Sequence, residues 1–123
     1  MTPKVHNRKN FRFAIIAVFA FLASLALPAA SRAGSAAEGQ KVFQEKCAMC
    51  HGADGTGNTA VGKSLGAADL HSDTVQKLTD AAIYTQIESG KGNMPPFKGQ
   101  VDKDQIGDLI AYIRQFGKKG GKK

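Results

Sequence analysis

The sequence predicts an all-α protein, and three observations carry the prediction. The segment "DKDQIGDLIAYIRQFG" places Ile106, Leu109, Ile110 and Ile113 at i, i+3, i+4 and i+7, one face of a helix. Two further stretches begin at N-cap residues, Ser35 and Thr79, and continue with helical spacing. No run of alternating apolar and polar residues is long enough for a useful strand, and no internal repeat is present.

The elements follow in chain order. In "SAAEGQKVFQEK", Ser35 followed three residues later by Glu38 is a capping box. Gly39, Val42, Phe43 and Lys46 then recur at helical spacing. A glycine inside a helix costs about 1 kcal/mol against alanine. Gly39 therefore points to something packed closely on that turn, with Phe43 on the same face one turn later. "HGADGTGNTAVGKSLGAADLHSD" has no sustained period and reads as a long loop that wraps something or carries function. "TDAAIYTQIESG" is a second helix, with Thr79 as cap, Asp80 at its positive end and Gly90 as stop. Ile83, Tyr84 and Ile87 form its apolar face. "KGNMPPFKGQ" is a loop stiffened by two prolines. The last helix is capped by Asp102, answered by Gln105, and is expected to stop at Gly117.

Ahead of these lies a different kind of sequence. "MTPKVHNRKNFRF" is basic, "FAIIAVFAFLASLALPAA" is apolar apart from Ser24, and "SRAGSAAEG" is rich in small residues. These are the three parts of a secretory signal peptide. Residues 1–33 are read as a cleaved leader, with cleavage after Ser31-Arg32-Ala33 and the alternative of a retained membrane anchor. Residues 34–117 are then a single domain, and 118–123 a flexible Lys/Gly-rich tail. A domain of that size has a limited core, so a buried cofactor, metal or disulfide would help it fold.

The formal charge of +7 misleads, because five of the 17 basic residues (Lys4, Arg8, Lys9, Arg12, Arg32) lie in the leader. Twelve bases then face ten acids, and no basic stripe carries interleaved aromatics. Nucleic-acid binding is excluded on that ground.

The chemistry concentrates in "CAMCH", Cys47 to His51, which holds both cysteines of the chain. A thioredoxin-type Cys-x-x-Cys sits beside a βαβ pattern, which is absent here. A tetrahedral zinc site does not easily take ligands from adjacent residues 50 and 51. A disulfide across so small a ring contributes little loop-closure stabilisation. Covalent haem uses all three residues. Thiols at i and i+3 lie on one side of a helical turn and add to the two vinyl groups of one porphyrin edge, and the next residue offers its imidazole to the iron. Cys47 and Cys50 are thus the thioether residues of one haem c, and His51 is the proximal iron ligand.

For the second axial position the chain offers Met49, Met94 and His71. Met49 lies inside the attachment segment and cannot reach across the macrocycle. Met94 lies beyond the second helix in "GNMPPF", where Pro95 favours an extended backbone and both prolines limit the loop's freedom. Met94 is the expected ligand and His71 the weaker alternative. "DGTGN" fails the EF-hand pattern, and its glycines read as turns.

These residues together resemble the class I c-type cytochromes, the small single-haem family. The resemblance runs from Gly39 to about Gly117. It rests on Gly39 and Phe43, CAMCH, Met94-Pro95 and the last-helix run Leu109 to Ile113. It implies three to five helices wrapped round one haem, with one haem edge exposed. It also implies that the last helix crosses the first, Leu109 and Tyr112 packing on Gly39 and Phe43. The family often has a proline about twelve residues after the ligand histidine, whose carbonyl accepts the imidazole N–H; Lys63 stands near that place.

The function expected is an exported, periplasmic single-haem electron carrier, not an enzyme. Both axial positions are filled by His51 and Met94, and redox proteins are the donor and acceptor. The chain is expected to be a monomer, meeting a membrane only if the leader is retained. Lys46, Lys63, Lys91 and Lys98 flank the haem-contacting segments, and some of them are expected to ring the exposed haem edge and steer an acidic partner. The rivals are an open-site haem protein with peroxidase or sensing activity, and a haem subunit of a larger oxidoreductase.

Overall fold

The computed structural model describes residues 34–120. The leader assigned to 1–33 and the last three residues of the tail lie outside the described residues. Within them are six helices: α1 (Ala36–Lys46), α2 (Ala48–His51), α3 (Ala60–Leu65), α4 (Asp73–Gln76), α5 (Asp80–Ser89) and α6 (Lys103–Gly120). Two are four-residue turns, so the four longer helices fall within the expected three to five. Among the described residues there is no strand, only isolated bridges between Lys91 and Met94 and between Lys98 and Val101. No described helix is long and apolar enough to cross a membrane.

The frame is the crossing of α1 and α6. A methyl at Gly39 would run into the backbone carbonyl of Asp108 and the amide of Leu109. Glycine therefore stands inside α1 because the backbone of α6 lies directly against it. Phe43 packs on Tyr112 and Phe116 with ring centroids 5.2 and 5.6 Å apart. Phe43, Ile106 and Leu109 are the largest fully buried side chains. Ile83 and Ile87 bring α5 into the same core.

The caps hold with one change. Asp102 and Gln105 form the reciprocal box, Gln105 N–H donating to Asp102 Oδ1 at 2.8 Å and Asp102 N–H to Gln105 Oε1 at 3.0 Å. At Ser35 only half of the box forms, Oγ accepting from the Glu38 amide at 3.4 Å. The Ser35 amide donates instead to the buried carboxylate of Asp108 at 2.5 Å, which anchors the start of α1 to α6. Glu38 turns outward to Lys41.

Two expectations are corrected. The long loop contains α3, capped by Thr59, whose Oγ1 accepts from the Gly62 amide at 2.8 Å. Thr59 Oγ1 also lies 2.8 Å from the Met49 carbonyl and 3.1 Å from that of Cys50, joining α3 to α2. The last helix does not stop at Gly117 but runs to Gly120. Gly117 does not take a left-handed conformation. Its missing side chain leaves room for Gln76, whose amide donates to the carbonyls of Leu70 and Ile113.

Candidate haem site

Cys47 and Cys50 sit on and beside the single turn of α2, which ends at His51. They form no disulfide with each other, and both are partly buried. Burial, with the neighbouring Cys50 thiol adding to it, pushes the Cys47 thiol up to about 11. A redox-active Cys-x-x-Cys works through a thiolate with a lowered pKa. The environment of Cys47 does the opposite.

His51 Nδ1 lies 3.1 Å from the carbonyl oxygen of Ala68. A carbonyl only accepts, so Nδ1 carries the proton and Nε2 keeps its lone pair for a metal. Such a bond also fixes the orientation of the ring. The acceptor is not at Lys63. Lys63 is an exposed residue within α3, and its own amide bonds Thr59 within that helical turn. Because α3 consumes the residues after Thr59, the chain returns to the imidazole only at Ala68, beyond the left-handed Gly66.

Met94 closes a tight turn with Lys91, each amide donating to the other's carbonyl at 3.0 and 3.1 Å. The turn is tied to α5 by the Phe97 amide on the Ile87 carbonyl and the Lys98 amide on the Glu88 carbonyl. Gly90 leads into it with φ +76°, and a side chain there would collide with Met94, Pro95 and Pro96.

Cys47, Cys50, His51 and Met94, which the sequence places up to 47 positions apart, all line one cavity of about 730 Å³. That volume falls within the range of roughly 300–1,000 Å³ typical of small-molecule and cofactor sites. The remaining lining is mainly apolar or backbone, including Leu65, Val75, Leu78 and Phe97. A planar macrocycle with a metal at its centre fits this donor set: two thiols, one imidazole nitrogen and one thioether around an apolar slot.

His71 does not line the cavity. Its Nδ1 is held by Asp69 Oδ1 at 2.8 Å and its ring leans on Phe116, centroids 5.1 Å apart. Met49 is 73% exposed at the cavity rim. The segment "DGTGN" is a turn. Asp54 Oδ1 accepts from the Thr56 amide at 3.1 Å and hydroxyl at 2.9 Å, which holds its carboxyl below the usual range. Among the described residues no cluster of three or more His, Cys, Asp or Glu is arranged for a metal ion. Sequence reasoning missed Ala68 and Asn93, both cavity-lining. Ala68 acts through its backbone and leaves no side-chain signal.

The family model described as cytochrome c oxidase, cbb3-type, subunit III matches residues 34–113. The chain is 40% identical over 100 residues to cytochrome c6 of Rippkaea orientalis, covering 80% of this chain and 86% of that one. It is 39% identical over 88 residues to cytochrome c6 of Leptolyngbya boryana, covering 69% and 96% respectively. Among solved structures, the KustC0563 c-type cytochrome superposes with a TM-score of 0.59 at 34% identity, covering 63% of this chain and 95% of its own.

Proposed function

The chain belongs to the class I c-type cytochromes, and from that premise we propose that it is an exported single-haem electron carrier with His51 and Met94 as axial ligands. Cys47 and Cys50 would hold the haem c as thioethers. The single observation that carries this reading is the shared cavity, where the two thiols, the imidazole and the thioether converge. Bound haem supplies a one-electron ferric/ferrous couple.

The chain's own residues do the rest. Ala68 presents His51 with Nε2 free. The Met94 turn would bring a thioether to the metal, a ligand that favours ferrous iron and would raise the potential. Leu78 and Phe97 keep the slot apolar, which disfavours the additional ferric charge. The rim at Met49 and Leu65 is exposed, 73% and 40%, and supplies an apolar edge for partner contact. His51 and Met94 together would hold the metal and leave it no open position for a substrate, the arrangement of an electron carrier rather than an enzyme. Export follows from the leader assigned to residues 1–33.

The test is intact mass after acid–acetone treatment. The expected mass is the polypeptide starting at Gly34 plus one haem, and the reduced protein should resist carbon monoxide. Haem recovered in the organic phase would refute covalent attachment. Ready carbon monoxide binding would replace the carrier by an open-site haem protein.

A further inference from the structure

The Met94 turn is anchored to α5 by backbone bonds, but α5 is only one side of the cavity. The tie to the other side is a side chain. Asn93 Nδ2 donates to the Leu65 carbonyl at 3.0 Å, across 28 positions of sequence. Leu65 is the last residue of α3, and its carbonyl belongs to the helix end that has no partner within the helix. Three residues further on, Ala68 gives its carbonyl to His51.

We propose that Asn93 is a positioning residue, a latch that joins the Met94 turn to the same short segment that orients His51; this rests on the reading of Met94 as an axial ligand. The segment 65–68 then links both iron ligands around one rim. His51 reaches it through Ala68, and Met94 through its neighbour Asn93. All five residues line the cavity, so the latch closes the rim where the turn would swing out.

The chemistry asks for an amide at this position. Asn93 sits in the tight turn next to Gly92, whose φ of +59° shapes it, and asparagine suits such turns. A carbonyl accepts only from an N–H or O–H donor, so a carboxylate at 93 would repel the Leu65 oxygen. Asn93 is exposed, so packing does not explain its contact. A net hydrogen bond of this kind shifts a local open–closed equilibrium by roughly two- to tenfold. That is small for the whole fold. It matters for a loop, because loops open locally with far lower free energies than the core.

The experiment compares holoprotein with Asn93→Ala and Asn93→Asp. It follows the near-infrared band of methionine-bound ferric haem against pH, the rate of cyanide binding to the ferric protein, and the guanidinium midpoint. Asn93→Ala should bind cyanide about two- to tenfold faster and lose the band at a pH lower by about 0.3 to 1, the logarithm of that factor. Asn93→Asp should go further in both. Stability against guanidinium should weaken by no more than the same two- to tenfold factor, because the open and the unfolded states both lack the bond. If the parent shows the band and Asn93→Ala matches it in cyanide rate and in the pH at which the band is lost, the latch is refuted while Met94 ligation stands. A parent without the band overturns Met94 ligation and the latch together. A loss of unfolding stability well beyond that factor, or one without faster cyanide binding, would make Asn93 a general stability residue and also refute the latch.

Discussion

At the scale of single residues, two positions decide most of the outcome. Gly39 is the first. Its place in a helix is paradoxical from propensity alone, and that paradox makes the α1–α6 crossing legible in the amino-acid sequence. Gly39→Ala gains about 1 kcal/mol of helix propensity but drives a methyl into the Asp108 carbonyl. Overpacking typically costs about 1–3 kcal/mol, and backbone yields less than a side chain. The expected net loss is about 2 kcal/mol, read from guanidinium unfolding by circular dichroism; an unchanged or raised midpoint would mean the helices part freely. Met94 is the second. Axial ligands set haem potentials over a range of about 0.8 V, so with Met94 as the proposed ligand, Met94→Ala should lower the potential well beyond any surface substitution and admit carbon monoxide. Met94→His should stay closed yet also fall in potential, because imidazole favours ferric iron more than thioether does. Spectra of the ferric and ferrous variants check both. The imidazole acceptor shows where residue-level reading ends. Counting twelve positions leads to Lys63, because the count assumes no helix in between, and a backbone acceptor such as Ala68 has no residue type to search for.

At the scale of elements, legibility follows periodicity and length. The 18-residue α6 and the 10-residue α5 carry apolar stripes and caps, so both are visible in the sequence. The six residues of α3 are too few for a period, and they contain Gly62. That glycine looks like a loop signal, yet it is there because the Cys50 carbonyl lies against it. The end of α6 is misread for the same reason: Gly117 accommodates Gln76 and is not a stop. Arg114, which in the sequence signals only a helix end, joins elements. Its guanidinium donates to Asp80 Oδ1 at 2.6 and 3.0 Å, to the Gln76 carbonyl at 2.8 Å and to the Leu78 carbonyl at 2.6 Å. It thereby holds the segment between α4 and α5, whose Leu78 lines the haem cavity, against α6. Arg114→Lys keeps the charge but loses the planar fork. Hydrogen bonds to charged groups contribute about 1.5–3 kcal/mol each when isolated, and partial replacement by the ammonium leaves an expected loss of about 1–2 kcal/mol. In a domain of this size that is a fall in Tm of roughly 4–16 °C, measurable by thermal unfolding of the holoprotein; an unchanged Tm would show that the ammonium replaces the fork.

At the scale of the whole molecule, the question is how a partner finds the haem edge. Met49, Val61 and Leu65 are the exposed large hydrophobic residues among those described, and two of them, Met49 and Leu65, line the cavity mouth. Of the four lysines from which that edge is expected to draw its charge, the structure places Lys46 and Lys91 on the cavity lining, while Lys63 and Lys98 lie outside it. Lys46 also pairs with Glu45 at 3.0 Å, which offsets part of its charge, so Lys91 is the stronger steering group. An apolar patch gives contact without long-range attraction, whereas exposed lysines attract an acidic partner from a distance. The two contributions separate with salt, because charges in solution are screened over about 8 Å at physiological ionic strength. Electron-transfer rates with the natural partner are therefore expected to fall as salt rises. Lys91→Gln should flatten that dependence more than Lys46→Gln, and Lys63→Gln or Lys98→Gln should change it least. Stopped-flow rates across a salt series measure all four. A flat response in the parent would assign docking to Met49, Val61 and Leu65 alone, and Leu65→Ser should then slow transfer at every salt concentration by the same factor.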